Sequence, residues 1–226
     1  MLIRIPQVLG AEELALCRRE LLQADWSDGR HSAGYLSRTV KNNRQLPDDH
    51  PVARKLGELV MQALERNDVF TAAALPMKLV PPLFNRYSDH QAYGRHVDGA
   101  IRPVAGTHLR VRTDLSATLF LSASEDYDGG ELVIEDTFGP RSVKLPAGDL
   151  VLYPGTSVHH VQPVTRGVRL ASFFWIQSMV RLDQQRSILF ELDTAIQKLA
   201  TADPTQSVLT DLAGVYHNLL RTWADS

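Results

Sequence analysis

Residues 130–155 read GELVIEDTFGPRSVKLPAGDLVLYPG, and they give the clearest indication of the fold. The apolar runs GELVIED, RSVKLP and GDLVLYPG are each short enough to be a single β-strand. Between them stand FGP and PAG, whose glycine and proline residues mark turns. Short strands joined by close turns predict an antiparallel sandwich or barrel.

This pattern of short strands extends over residues 76–178 and is flanked by helical patterns on both sides. Before it, GAEELALCRRELLQA and HPVARKLGELVMQALERN carry apolar residues at helical spacing. After Met179 two more helices are predicted, the second one capped by Asp203 and starting at Pro204. We therefore predict an α+β chain with a support region of helices and strands (1–75), a β core (76–178) and a C-terminal helical region (179–226).

Composition narrows the classes of function. Lysine and arginine total 24 against 26 acidic residues, and a net charge of −2 gives no general case for nucleic acid or an anionic membrane as partner. No apolar run approaches the roughly 20 residues that span a bilayer. The single Cys17 cannot form an internal disulfide, and the N-terminus lacks the features of a signal peptide. These features predict a cytoplasmic protein with a small-molecule or protein substrate.

The stretch YGRHVDGA, residues 93–100, places His96 and Asp98 two positions apart. On a strand, residues i and i+2 point to the same face, so both side chains could reach one metal ion. Taken alone, such a pair is more often solvated or turn-capping than metal-binding. The prediction of a metal site therefore depends on a third ligand.

The third ligand is predicted from the distant segment SVHHVQPVTRGVRLASFFW, which offers His159 and His160. A hairpin with the three-residue loop 165–167 would pair Val164 with Val168 and would turn His159 inward. The same register would place Arg169 on the face of His159. A two-residue turn would reverse the parity and favour His160, so the choice depends on the type of turn.

Two histidines and one carboxylate that leave coordination positions open are typical of non-haem Fe(II) oxygenases. Such a site has room for a co-substrate and O₂ beside the protein ligands. An arginine on the same inner face, here Arg169, can form two parallel hydrogen bonds to a carboxylate. The distal carboxylate of 2-oxoglutarate would suit it, although Arg169 could instead pair with a carboxylate of the sheet.

The ordered set of His96, Asp98, DGGEL at 128–132, His159 and Arg169 resembles the Fe(II)/2-oxoglutarate dioxygenases of the prolyl-4-hydroxylase type. RYSDHQAYGRHVDGA, YDGGELVIED, LPAGDLVLYPGTSVHHVQPVTRGVRLASFFWIQSMV and the helical tail resemble the bacterial PKHD-type hydroxylases, which are associated with iron uptake. The resemblance covers most of the chain.

This resemblance implies a double-stranded β-helix (jelly roll) core, with iron at His96, Asp98 and His159. It also implies 2-oxoglutarate at Arg169 and Tyr87, O₂ as oxidant and L-ascorbate as reductant. Related enzymes tend to have a polar aromatic residue in the strand that here reads ATLFLS. Phe120 lacks that hydroxyl, which leaves the second contact to 2-oxoglutarate open.

Two other classes of function remain as alternatives. A cupin-like metal enzyme without 2-oxoglutarate would use a similar barrel, but usually shows His-x-His followed shortly by Glu. Here His96 and Asp98 are followed by Gly99, Ala100 and Ile101. A non-catalytic iron sensor would keep the metal ligands but would not need Arg169.

The C-terminal region is predicted to be a helical hairpin. Apolar residues recur every three or four positions in each helix. They are Leu189, Leu192, Ile196 and Leu199, then Val208, Leu212, Val215 and Leu219. Further apolar residues such as Phe190 and Trp223 make this apolar surface wider than the contact between the two helices requires. An exposed apolar patch of that size is unusual on a monomer. We therefore predict a homodimer formed partly through these helices.

Overall fold

The computed structural model describes residues 1–225. Five α-helices are present in that range: α1 (Ala11–Gln23), α2 (Pro51–Glu65), α3 (Asp68–Ala74), α4 (Asp183–Ala202) and α5 (Val208–Trp223). Short 3-10 helices cover Gly29–Ser32, Ser37–Thr39 and Ser124–Asp126. None of these helices is long and apolar enough to cross a membrane.

Seventeen strands are described within the same residues. The first nine are β1 (Ile3–Ile5), β2 (Ser27–Asp28), β3 (Lys41–Asn42), β4 (Arg44–Gln45), β5 (Pro76–Leu79), β6 (Leu83–Tyr87), β7 (Ala92–His96), β8 (Ile101–Pro103) and β9 (Arg110–Arg112). The others are β10 (Leu115–Phe120), β11 (Tyr127–Gly129), β12 (Leu132–Asp136), β13 (Gly139–Val143), β14 (Leu150–Pro154), β15 (His159–Val161), β16 (Val164–Gly167) and β17 (Arg169–Ser178).

Two antiparallel sheets form the core, and the fold is the predicted jelly roll. The larger sheet has the order β1-β14-β10-β17-β6-β4-β2, with β5 also paired to β17. The smaller sheet has the order β13-β12-β15-β7-β3. Two ribbons, β11-β16 and β8-β9, complete the strand pairing. Strands from residues 1–75 extend both sheets, so the N-terminal region is part of the sandwich as well as its support.

Successive side chains of β10 and β17 point to opposite faces of the large sheet. The outer face packs against helices α1 and α2. Its contacts are made by Leu115, Leu119, Leu170 and Phe174 with Cys17, Leu21, Leu56 and Val60. The intervening residues, which include Ser116, Thr118, Arg169 and Phe173, point to the opposite face, since side chains alternate along a strand. That second face lines the space between the sheets.

The C-terminal hairpin forms, with a different start for its second helix. Asp203 ends α4, and its Oδ1 accepts a hydrogen bond from the Thr205 amide, which stabilises the turn between the helices. Helix α5 begins at Val208 after Ser207, so the predicted start at Pro204 was wrong. The side-chain bond of Asp203 is used by the turn and therefore does not cap a helix.

The hairpin packs on its own chain through a small apolar cluster. Leu189 of α4 is buried with Leu75 and Val180, and Tyr216, Leu220 and Trp223 of α5 pack against this group. The N-terminal ammonium lies 2.5 Å from the carboxylate of Asp183, which ties the first residue to the start of α4. No residue of α5 is itself buried, so one side of this helix faces solvent.

Candidate active site

A cavity of about 290 Å³ lies between the two sheets. His96, Asp98, His159, Arg169 and Tyr87 all line it, so every site residue predicted from the sequence reaches one space. Neutral polar residues and aromatic rings form much of the remaining wall. They include Ser116, Thr118, Tyr93, Tyr153, Phe173 and Trp175.

His96 and His159 are cross-strand partners. β7 ends at His96, and β15 places His159 directly opposite it. Asp98 follows β7 in a loop instead of lying on the strand, yet its side chain turns to the same point. One nitrogen of each imidazole and one carboxylate oxygen lie within 4.8 Å of one another. His159 Nε2 is 3.8 Å from Asp98 Oδ2, a separation that suits two ligands of one ion better than a direct hydrogen bond.

Backbone carbonyls fix which nitrogen of each histidine is free. His96 Nδ1 lies 2.8 Å from the carbonyl oxygen of Gly94, and His159 Nδ1 lies 3.1 Å from that of Ser157. A carbonyl only accepts, so each Nδ1 carries the proton and donates it. Both Nε2 lone pairs are then available to a metal, which is the usual role of such an outer hydrogen bond.

The surroundings of His96 favour its neutral form. Burial, together with the neighbouring His159, lowers the pKa of His96 from 6.5 to about 4. A neutral imidazole is the form that binds a metal ion, so His96 is ready to bind near pH 7 without first losing a proton. Two imidazoles and one carboxylate are a donor set that fits Fe(II).

Ser116 of β10 positions the carboxylate. Its hydroxyl donates to Asp98 Oδ2 at 2.7 Å, across the gap between the sheets. Because Asp98 lies in a loop, this bond holds a side chain that no strand pairing restrains.

We expect Ser116→Ala to weaken Fe(II) affinity about 10- to 100-fold, as losing an outer hydrogen bond to a ligand commonly does. Ser122→Ala is the matched control, since within residues 1–225 the Ser122 hydroxyl bonds only to the backbone of Val168 and Leu170. That control should lower stability and leave iron affinity unchanged. Anaerobic Fe(II) titration measures both, and equal affinities in the two variants would contradict the role of Ser116.

Arg169 is a buried cation, and two of its donor nitrogens are free. It is only 1% exposed, and its Nε and Nη1 have no hydrogen-bond partner within residues 1–225. The rings of Tyr87 and Phe120 flank its guanidinium, with centroids at 5.4 and 5.3 Å. Buried donors without partners are costly, so the site is arranged for an anionic group that the chain itself does not supply.

Two buried tyrosines line the same cavity. Tyr87 pairs with Arg169 across β6 and β17, and burial raises its pKa to about 12. Tyr153 is 3% exposed, and burial raises its pKa well above 10. Both phenols therefore stay protonated and can donate hydrogen bonds. Phe120 lies beside Arg169 but lacks a hydroxyl, whereas Tyr153 lines the same cavity with a protonated phenol.

The hairpin register used to choose between His159 and His160 was wrong. Strand β16, at Val164–Gly167, pairs with β11, while β17 runs in the large sheet between β10 and β6. His159 and Arg169 therefore reach the cavity from opposite sheets. His159 points inward because β15 pairs with β12 and β7, opposite Ile134 and His96.

His160 lies on the outer side of the strand. Its Nε2 is 3.3 Å from Nε2 of Gln162, also near the surface. The structure therefore places the expected histidine in the cavity for a different reason from the one derived from the sequence.

Several cavity residues were missed by the sequence analysis. Phe173 and Trp175, which belong to the apolar run of β17, line the cavity. Lys41 and Arg102 line it too and had no assigned role. Lys41 arrives through the two-residue strand β3, which is too short to show periodicity.

Comparison with known proteins identifies the chain. Residues 82–177 match the 2OG-Fe(II) oxygenase superfamily, and residues 183–225 match the PKHD-type hydroxylase C-terminal domain. A PKHD-type hydroxylase of Bordetella pertussis is 58% identical, and the PKHD-type hydroxylase PiuC of Pseudomonas aeruginosa is 56% identical, each over the whole of both chains.

Among solved structures, a Trichoplax adhaerens prolyl hydroxylase in complex with a hypoxia inducible factor peptide fragment is similar with a TM-score of 0.55. It is 14% identical, and the alignment covers 83% of this chain and 86% of that one. At such low identity it supports the fold alone. The full-length matches establish that this chain belongs to the PKHD-type hydroxylases, a family of Fe(II)- and 2-oxoglutarate-dependent dioxygenases.

Proposed function

We propose that the chain binds Fe(II) through His96, Asp98 and His159, anchors 2-oxoglutarate on Arg169, and hydroxylates a small-molecule or protein substrate in the same cavity. One observation carries the proposal. Two free imidazole Nε2 atoms and a carboxylate converge in a cavity that also holds a buried arginine with unpaired donors. When bound, the iron and 2-oxoglutarate supply the oxidising chemistry, which consumes O₂ and yields succinate, CO₂ and the hydroxylated product.

The residues of the chain contribute binding, orientation and exclusion of water. His96, Asp98 and His159 would hold the metal ion, and the cavity that they line would leave room for the co-substrate and the substrate. Arg169 offers a planar fork for two parallel hydrogen bonds to a carboxylate. Tyr87 and Tyr153 line the same space as protonated phenols and can donate to the co-substrate. The buried apolar residues around Arg169 strengthen this ion pair by excluding water.

Formation of succinate from 2-oxoglutarate tests the proposal. The protein incubated with Fe(II), O₂ and 2-oxoglutarate should release succinate slowly, and a cell extract that contains the substrate should accelerate the release. The Asp98→Ala variant under the same conditions is the control. Succinate release no faster than from that control, with and without extract, would favour the non-catalytic iron-binding alternative.

Two further assignments extend this proposal. We propose L-ascorbate as the reductant, a role supported by the resemblance to prolyl hydroxylases, and the cytoplasm as the compartment, supported by the single buried, unpaired Cys17. The link to iron uptake stays a prediction from the family.

We also propose a homodimer formed through the C-terminal hairpin. Support comes from the apolar side chains that this region leaves exposed, with Ile188, Val208 and Val215 each 41–50% exposed. Light scattering at micromolar concentration should give twice the mass of the chain. Val215→Glu should shift the protein to a monomer, whereas Thr210→Glu, on the far side of α5 from Val208, should not. A monomeric wild-type chain would contradict the dimer.

A further inference from the structure

Lys41 is a buried cation in the wall of the active-site cavity. It is 5% exposed, and strand β3 sets it beside Tyr93 of β7. Its ammonium donates to Ser32 Oγ at 2.9 Å and to Gln45 Oε1 at 2.8 Å. An ammonium has three donors, so one is left for the cavity after these two bonds.

Arg102 of β8 is a second cation in the same wall. Its guanidinium lies 4.3 Å from the centre of the Trp175 ring, and its buried Nε has no hydrogen-bond partner within residues 1–225. In that described part of the chain, no carboxylate lies within 4.0 Å of the charged nitrogens of Lys41 or Arg102. Both cations are thus held without an ion pair.

A structural role for Lys41 does not account for its charge. A neutral amide could donate to Ser32 and Gln45 equally well, whereas a buried ammonium loses its hydration. Burial and the charge of Arg102 lower the pKa of Lys41 to about 8, although Asp98 acts in the opposite direction and the rings of Tyr93 and Phe173 lie 5.2 and 5.9 Å from its ammonium. Near pH 7 most Lys41 side chains are still protonated.

The charges of the cavity wall leave an excess once the proposed cofactors are counted. Its charged side chains are Lys41, Asp98, Arg102 and Arg169, and histidines bind a metal ion as neutral imidazoles. Fe(II) and the dianion 2-oxoglutarate cancel one another, and Asp98 cancels Arg169. Two positive charges, those of Lys41 and Arg102, are left facing the space that remains for the substrate.

We propose that the substrate of this hydroxylase carries an oxyanion, a carboxylate or a phosphate, which Lys41 and Arg102 bind together. The inference rests on the proposed function, because it assigns these two residues to the substrate. The rings of Tyr93, Phe173 and Trp175 lie beside these two cations and give the non-ionic part of the substrate an apolar wall. Lys41 and Arg102 are then specificity-determining residues.

The co-substrate is the other anion that these cations could bind. Its two carboxylates already have partners, since one belongs with the metal and the other with Arg169. If Lys41 or Arg102 held 2-oxoglutarate instead, their loss would weaken its binding, and the experiment below measures that binding separately.

The experiment uses the full chain loaded with Fe(II) and saturating 2-oxoglutarate under nitrogen, so that binding is measured without turnover. Calorimetry compares small carboxylic acids with their primary amides, and phosphate monoesters with the parent alcohols. Acids with α-hydroxy, α-oxo or catechol groups are left out because they chelate iron.

The variants are Lys41→Met, Lys41→Arg and Arg102→Gln, with Arg110→Gln as control. Arg110 is an exposed cation of the same β8-β9 ribbon and does not line the cavity.

In the wild type and in Arg110→Gln, at least one acid or phosphate ester should bind about tenfold or more tightly than its neutral counterpart, because charge-assisted hydrogen bonds are the strong ones. Lys41→Met and Arg102→Gln should lose this preference while keeping their affinity for 2-oxoglutarate, and Lys41→Arg should retain much of it. Whether the acids or the phosphate esters show the preference identifies the oxyanion.

Absence of any anion preference in the wild type, or the same preference in Lys41→Met and Arg102→Gln, would overturn the inference. Weaker 2-oxoglutarate binding in those variants would overturn it as well, because it would place the two cations in the co-substrate site. A wild-type protein that fails to bind Fe(II) and 2-oxoglutarate at all would contradict the proposed function itself, and this is distinguishable because the loading is measured first.

Discussion

Replacing His159 with alanine is expected to abolish turnover and to weaken Fe(II) binding by at least about 100-fold, since a lost ligand should cost no less than a lost outer hydrogen bond. His96→Ala and Asp98→Ala should have the same effect. Each change removes a metal-ligating side chain that points into a cavity, so the packing of the two sheets should be largely preserved. Anaerobic Fe(II) titration and circular dichroism of the variants measure metal affinity and folding separately.

His160→Ala is the matched control for His159→Ala. It removes an imidazole from the next position of the same strand, on the outer side near Gln162. Iron affinity and turnover should stay close to those of the wild type. Loss of iron binding in His160→Ala together with its retention in His159→Ala would contradict the proposed ligand set.

Arg169→Ala is expected to retain iron and to lose 2-oxoglutarate affinity, by an amount on the order of 2 to 5 kcal/mol if the carboxylate is left buried without its partner. Arg169→Lys should restore only part of this affinity, because a point charge cannot reproduce the guanidinium fork. Titration of the Fe(II)-loaded protein with 2-oxoglutarate under nitrogen, followed through its charge-transfer absorption, gives the affinity.

Arg166→Ala controls for the loss of a nearby positive charge. Arg166 is exposed and pairs with Asp128 on the surface, so its loss should leave 2-oxoglutarate affinity unchanged. Unchanged affinity in Arg169→Ala as well would assign the co-substrate anchor to another cation of the cavity, Lys41 or Arg102.

Local patterns in the sequence predicted the architecture well. Short apolar runs separated by glycine and proline predict strands whatever their partners are, and β12, β13 and β14 form within the stretch from 130 to 155. Helices α1 and α2 form where apolar residues recur at helical spacing. Residue types and their order along the chain pointed to His96, Asp98, Arg169 and one of two adjacent histidines, and the family resemblance selected His159 and added Tyr87. The structure brings these five residues into one cavity.

Pairing between distant strands could not be predicted in the same way. A hairpin between β15 and β17 satisfied local turn chemistry, but β17 has ten residues and pairs with β10 and β6 in the other sheet. Tertiary pairing overrode the local preference. Lys41 went unnoticed for a related reason, since only its pairing with β7 brings a short polar segment into the cavity wall.

The most direct test of the account is an anomalous difference map at the iron edge, from crystals of the wild-type protein grown anaerobically with Fe(II) and 2-oxoglutarate. The account predicts one strong peak per chain, at bonding distance from Nε2 of His96, Nε2 of His159 and the carboxylate of Asp98. The distal carboxylate of 2-oxoglutarate should contact Arg169. Iron bound elsewhere, or 2-oxoglutarate that does not contact Arg169, would contradict it.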